Sequence, residues 1–256
     1  MTDSLDDVVV RLRAAGCVFA EDEAALLLGE GLDDAALERA LVRRCLGEPL
    51  EVVLGWASFA GVRVVVAPGV FVPRSRTALV VDVAVESVAG RADPAVLDLC
   101  CGTGAVAAAV LARRPDAQVH AADLDPAAVA CARRNLPPDR VHEGDLFAAL
   151  PDALRGHFDV IAANAPYVPT AAIATMPPEA RVHEPAVALD GGADGLDLHR
   201  RIARGASPWL VPGGVLLVET SREQAASTVA LLADAGFATS VRRDDDVDGT
   251  VVVGRR

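Results

Sequence analysis

The rhythm of apolar and polar positions changes twice along the chain. Over residues 1–48 the apolar positions recur at helical spacing. SLDDVVVRLRAAG, AEDEAALLLGEG and LDDAALERALVRRCLGE each put Val, Leu and Ala on one face, and Gly16 offers a stop after the first. This predicts a small helical N-terminal domain. Over residues 49–76 the pattern turns β-branched. PLEVVLGWASFAGVRVVVAPGVFVPRS, with Gly55, Gly61 and Gly69 as turn points, predicts a β-hairpin linker. Residues 77–256 form the third stretch. RTALVVDVAVESVAG reads as a leading helix, and strand, glycine turn and helix then alternate. AVLDLC, AQVHAADLD, DRVHEGD, FDVIAAN and GGVLLVET read as strands; GTGAVAAAVLARR, PAAVACARRNL, GLDLHRRIARGASPWL and REQAASTVALLADAG read as helices. FATSVRRD and GTVVVGRR close the chain as an antiparallel pair. The alternation predicts an α/β fold, a mostly parallel sheet with helices on both faces.

Composition narrows the class of function. With 256 residues and 52% hydrophobic side chains the chain can bury a large core. The net charge of −12 argues against nucleic acid as a partner, because such binders carry a basic footprint. Every basic residue counted as Lys or Arg is Arg, which removes Schiff-base and P-loop lysine chemistry. Cys17, Cys45, Cys100, Cys101 and Cys131 show no metal-ligand spacing, so no metal site is expected. The opening MTDSLDD lacks a signal pattern, and no apolar run is long enough to span a bilayer. A reduced, soluble, cytoplasmic monomer is expected.

In doubly wound sheets the ligand sits outside the carboxyl ends of the strands. VLDLCCGTG puts Asp98 at the end of the first such strand and Cys100, Cys101, Gly102, Thr103 and Gly104 in the turn that opens the helix. Glycines there let the backbone approach a ligand, and the helix offers free N–H groups. Cys100 occupies a position where such loops commonly have glycine, and the vicinal cysteines read as small packing residues. Asp123 ends the second strand, where a carboxylate suits a ribose diol. Asp125 precedes Pro126 and reads as a helix N-cap. Asp145 follows the third strand, as an acceptor for an adenine amino group or as a loop cap. A GxG with a distant Asp is shared by dehydrogenases and by class I methyltransferases. Ala107 stands where a dinucleotide fingerprint prefers a third glycine.

The fourth strand ends in Asn164, Ala165, Pro166 and Tyr167, the last being the chain's one tyrosine. This polar strand end has no role in hydride transfer and a clear one in methylating an amide. The amide lone pair is delocalised into its carbonyl. Hydrogen-bond acceptors on both N–H groups favour a pyramidal, nucleophilic nitrogen. The Asn164 side-chain oxygen and the backbone carbonyl of Ala165 supply two such acceptors. Pro166 stiffens the loop, and the Tyr167 ring can stack on a flat amide or base. No general base is required, because the proton can leave after the methyl arrives.

These residues resemble the release-factor glutamine N5-methyltransferases, the HemK/PrmC family, whose signature is Asn-Pro-Pro-Tyr. The resemblance covers nearly the whole chain. It includes the hairpin linker, DLCCGTG, GDLF and HEPAVALDGGADGLDLHRRI. It implies a class I methyltransferase fold with a seven-stranded sheet and an antiparallel C-terminal strand, and a helical N-terminal domain that recognises the substrate. It also implies S-adenosyl-L-methionine as cofactor, held by Cys100 to Gly104, Asp123, Leu124, Leu146 and Asn164, with Asp98 and Asp145 beside them. The acceptor is a glutamine in the Gly-Gly-Gln loop of a peptide chain release factor, held by Asn164 to Tyr167. The chain departs from the family at Ala165, where the family has Pro, at Cys100 in place of Gly, and at Ala78 in place of an acidic residue. Rival readings are a nucleic-acid amino methyltransferase, since adenine and guanine pose the same lone-pair problem, and a non-catalytic S-adenosylmethionine-binding module. The five histidines lack ligand spacing and are expected at the surface or at caps; His183 and Glu184 border the substrate channel by resemblance. Trp56 and Trp209 are expected to pack.

Overall fold

The computed structural model describes residues 4–256, so the first three residues of the predicted helical domain lie outside the described residues. Four helices come first: α1 (Leu5–Ala14), α2 (Ala20–Gly29), α3 (Asp34–Cys45) and the short α4 (Leu50–Leu54). A capping box starts α1. The Ser4 hydroxyl accepts the Asp7 N–H, and the Asp7 carboxylate accepts the Ser4 N–H at 3.2 Å. Val8, Leu12, Leu27 and Leu41 fill a small core of their own. The predicted hairpin is narrower than its β-branched stretch. Strand β1 (Trp56–Phe59) pairs antiparallel with β2 (Val62–Val65). Residues 50–54 are helical, since Pro49 leaves one turn before Gly55 ends it at φ 80°. Ala57, Phe59 and Val64 pack into the main core of the molecule.

Helix α5 (Ala78–Ser87) leads into the sheet. The chain then runs β3 (Ala95–Leu99), α6 (Ala105–Arg113), β4 (Gln118–Asp123), α7 (Pro126–Ala132), β5 (Val141–Glu143) and β6 (Phe158–Ala163). After these come α8 (Pro178–His183), α9 (Asp197–Ala206), β7 (Leu210–Glu219), α10 (Ala225–Asp234), β8 (Ala238–Asp244) and β9 (Gly249–Arg255). The seven strands lie in the order β5-β4-β3-β6-β7-β9-β8. All neighbours are parallel up to β7, and β9 runs antiparallel to both β7 and β8. The expected sheet is therefore present. Its strand order reverses between β3 and β6, which opens a crevice there.

Both faces of the sheet are covered, which is why its strands read as apolar runs. In β3, Val96 joins the core under α5 and α6, while Leu97 and Leu99 join the core under α9 and α10. In β6, Val160 and Ala162 face the first core and Ile161 and Ala163 the second. Trp209, buried as expected, stacks on Phe147 in the second core. Trp56 ties the hairpin to the helical bundle through its Nε1–H, 3.0 Å from Glu30.

Helix α7 stops at Ala132, short of its predicted end, because Asn135 has other work. Its amide nitrogen donates to the Val65 and Thr103 carbonyls, at 2.9 Å each, and its oxygen accepts the Val65 N–H. Arg44 makes a second long-range tie. It is 8% exposed. It donates to Glu23 in α2 at 2.6 and 3.0 Å, and its third nitrogen reaches Glu179 in α8 at 2.8 Å.

Candidate functional site

A cavity of about 670 Å³ opens at the carboxyl ends of the strands, at the switch between β3 and β6. One half is built mainly from backbone. After β3 the chain turns through Cys100, Gly102 and Gly104 with φ of 60°, 53° and 74°. A Cβ on Gly104 would stand 2.8 Å from a Leu136 methyl and 3.3 Å from the Ala132 Cβ, on a backbone at positive φ, so a side chain there would be strained. Asp123, at the end of β4, spans the loop. One carboxylate oxygen accepts the Gly102 N–H at 2.8 Å and the other the Asp125 N–H at 2.9 Å. Burial pushes the Asp123 carboxyl up from its ordinary value, and these two N–H groups oppose the shift. Each oxygen keeps a lone pair for a further donor. As expected, Asp125 caps α7 by accepting the Ala127 N–H at 2.9 Å.

Of the residues expected to bind the cofactor, Cys100, Gly102, Asp123, Leu124, Asp145, Leu146 and Asn164 line this cavity. Asp98, Cys101, Thr103 and Gly104 lie behind its wall, buried. Asp98 shows why. Its carboxylate turns away from the cavity and accepts the Ala107 N–H at 3.0 Å, which ties down the first turn of α6. Burial pushes its carboxyl up to about 8. Cys101 packs in the core, and the Thr103 carbonyl receives the Asn135 amide. Asp145 stands at the rim, where its carboxylate accepts from Arg201 at 2.6 Å.

The other half is built from side chains. Asn164, Ala165, Pro166 and Tyr167 leave the end of β6 together and all line the cavity. The Asn164 amide nitrogen donates to the Thr77 hydroxyl at 3.2 Å. Its oxygen takes no protein donor among the described residues, and neither does the Ala165 carbonyl. The Ala165 methyl is buried in the second core. The Tyr167 hydroxyl donates to Glu219 at 3.4 Å, and burial together with the Glu219 charge pushes the phenol up to about 12.

Residues 184–197 clasp this loop. The Val168 N–H donates to the Leu189 carbonyl at 3.1 Å, and the Gly191 N–H donates back to Val168 at 2.8 Å. Gly195 passes so close that a Cβ on it would lie 2.3 Å from the Tyr167 carbonyl oxygen. That carbonyl accepts the Gln224 amide at 3.0 Å. Glu184 borders the cavity, accepting from Arg74 at 2.5 Å and from the Val72 N–H at 3.4 Å. Burial raises its carboxyl, and Arg74 acts against that.

Thr77, Arg76 and Glu219 were not singled out in the sequence. A signal for Glu219 was present. Like Asn164, it is a polar residue ending an apolar strand at the ligand side of the sheet. The histidines depart from expectation. His199 is fully buried, 3.1 Å from the Thr228 hydroxyl, and burial pushes it down to about 4. Adjacent parallel strands bring His120 and His142 into a stack with ring nitrogens 3.1 Å apart, and His157 meets His120 edge-on. Among the described residues no group of three or more such side chains can hold a metal ion.

The family model of the methyltransferase small domain matches residues 61–192. A release factor glutamine methyltransferase of Geobacter sulfurreducens is 38% identical over 226 residues, covering 87% of this chain and 78% of that protein. One from Deinococcus radiodurans is 36% identical over 262 residues, covering 95% and 94%. The fold is shared with a T. thermophilus 16S rRNA N2-G1207 methyltransferase solved with AdoMet and guanosine. The TM-score is 0.56 at 21% identity, covering 78% of this chain and 49% of that one. With a switch-point cavity that ends in Asn-Ala-Pro-Tyr and relatives matched over most of their length, this chain belongs to the release factor glutamine methyltransferase family.

Proposed function

We propose that this protein transfers a methyl group from S-adenosylmethionine to the side-chain amide nitrogen of a glutamine in a peptide chain release factor, in its Gly-Gly-Gln loop. The observation that carries the reading is Asn164. Its NH2 group is engaged by Thr77, so the side chain meets the cavity with its oxygen. The relatives are named for the same acceptor.

The backbone half of the cavity fits the cofactor. At Gly102 a Cβ would have its nearest neighbour, the Phe71 carbonyl, 4.0 Å away, so the missing side chain leaves room for a ligand beside the loop. Asp123 can accept two ribose hydroxyls with the lone pairs it retains. Leu124, Leu146 and Ala128 offer apolar walls to a flat base, with Asp145 at the edge to receive an amino group. When bound, the cofactor supplies an electrophilic methyl group on a sulfonium centre.

In this reading Asn164 Oδ1 and the Ala165 carbonyl, both from residues lining the cavity, accept the two N–H groups of the glutamine amide. Holding both favours the pyramidal nitrogen and orients its lone pair. Ala165 keeps the carbonyl that a proline would supply, and its buried methyl fixes the peptide in place of the missing ring. The Tyr167 ring, steadied by Glu219, offers a flat face to the amide. The charged methylated nitrogen loses a proton readily, so no side chain has to act as base.

Residues 1–48 are assigned to recognising the acceptor protein, 49–76 to the linker, and 77–256 to the cofactor and the chemistry. The chain acts as a monomer, without nucleic acid, in the cytoplasm where release factors work. Among the described residues no helix is long and apolar enough to cross a membrane. The test is intact-protein mass spectrometry of the release factors of the same organism after incubation with the protein and S-adenosylmethionine. A gain of one methyl group on the Gly-Gly-Gln glutamine is expected. Donor binding without any gain would remove the release factor as acceptor.

A further inference from the structure

Glu219 closes β7 at the ligand end of the sheet and is 1% exposed. One carboxylate oxygen is engaged: Oε1 accepts from the Tyr167 hydroxyl at 3.4 Å and lies 3.5 Å from Arg76 Nε. The other, Oε2, is buried without a hydrogen-bond partner among the described residues. A buried carboxylate oxygen left this way is costly, so a donor should be close by. Burial pushes the Glu219 carboxyl up from its ordinary value, and the hydroxyl of Thr77, itself 4% exposed, acts against that shift from beside it. Thr77 also accepts the Asn164 amide. A hydroxyl that accepts one hydrogen bond still has one hydrogen to give.

We propose that Glu219 is the positioning residue of the acceptor site: its carboxylate draws the Thr77 hydroxyl hydrogen, so Thr77 presents only a lone pair to Asn164, and the Asn164 amide is locked with Oδ1 toward the acceptor. The choice of group matters. An ionised carboxylate only accepts, so it leaves Thr77 one orientation. A neutral amide at position 219 can donate to Thr77 instead. The Thr77 hydrogen then turns to Asn164 and favours the flipped amide, whose NH2 would face the N–H groups of the substrate. Through Oε1 the same carboxylate steadies Tyr167, so one buried side chain sets both functional groups. The inference rests on Asn164 receiving the acceptor amide, and its test does not require the acceptor to be known.

The chain has two asparagines, Asn135 and Asn164. Isotopic nitrogen labelling of asparagine alone therefore yields two side-chain NH2 signals in an NMR spectrum, and the pair lost in Asn164→Ala identifies the one of interest. In Glu219→Gln and in Thr77→Val the Asn164 NH2 should shift and exchange its protons faster, with Asn135 unmoved. Thr77→Ser should retain the wild-type signals. In transfer assays kcat should fall about 10- to 100-fold in the first two variants, with donor affinity held within about twofold. Thr77→Ser should restore turnover. Unchanged Asn164 signals in Glu219→Gln overturn the proposal, as does a Thr77→Ser variant as impaired as Thr77→Val. Should Thr77→Val fail to fold, Glu219→Gln and Thr77→Ser decide the matter alone. A wild-type protein that methylates no release factor, yet shows this NMR pattern, would remove the acceptor and keep the relay.

Discussion

The two halves of the cavity are built in opposite ways. The cofactor half is a strand end, a tight turn and a helix start, held by backbone N–H groups that converge on Asp123. Its side chains are mostly small or apolar. The acceptor half hangs on side chains that lie far apart in the chain. Thr77 and Asn164 are 87 residues apart, and Tyr167 and Glu219 are 52 apart. Backbone geometry tolerates a change of side chain wherever the turn is kept. A side-chain network with buried charge does not, because removing one member leaves another unsatisfied. Substitutions should therefore be graded in the first half and close to all-or-none in the second.

Asn164→Ala puts the sharpest strain on this contrast. It should lower kcat by at least about 100-fold, since both orientation and lone-pair release depend on that oxygen, while cofactor affinity stays within a few-fold. Calorimetric titration with the cofactor beside a single-turnover assay checks both. Activity surviving within about tenfold would mean the acceptor is held elsewhere. Asp123→Ala addresses the other half. It should weaken the cofactor by about 1.5–3 kcal/mol, the worth of hydrogen bonds to a charged group, and leave turnover at saturating cofactor nearly intact. An unchanged dissociation constant would take Asp123 out of the site.

Asp98 separates the framework from the binding surface. Its folded pKa near 8 lies above the ordinary 3.8, because burial disfavours the charge. Both states bind the proton below the lower value. As pH rises from there through about 8, the unfolded chain gives up its proton first and gains on the folded one, so stability falls across that window. Asp98→Asn should flatten this part of the profile relative to wild type in denaturant melts, because an amide oxygen still accepts the Ala107 N–H without a charge to bury. A parallel pair of profiles would show that Asp98 is not the group responsible. The smallest effect is expected at Cys100, which holds a left-handed conformation at φ 60°. Cys100→Gly should raise stability by about 1 kcal/mol through relief of that strain. A drop in melting temperature would show that the thiol packs more usefully than it strains.

What could be read in advance follows the same division. Strand and helix alternation marked out the sheet, and FDVIAAN placed Asn164 at a strand end by pattern alone. Asp123 and the glycine turn were visible because their partners lie within one β-α-β unit. Asp98 misled for a physical reason. A carboxylate at a strand end can face the ligand or the helix that follows, and only the turn between them decides. Glu219 and Thr77 were passed over because their partners are brought near by the strand order, which no local spacing encodes. The histidines repeat the lesson. His120 and His142 have no ligand spacing along the chain, yet neighbouring parallel strands stack them. The hairpin shrank at Pro49 and Gly55, where a single helical turn suits the flanking residues better than a strand.

Arg44 carries a consequence for how the whole molecule moves. Its guanidinium is shared between Glu23 in the N-terminal bundle and Glu179 in α8, the helix that leads directly to Glu184 at the cavity. Any swing of the bundle away from α8 would deprive a nearly enclosed cation of one counter-ion. The bundle and the cavity rim thus share one buried guanidinium, which ties the position of the first to the second.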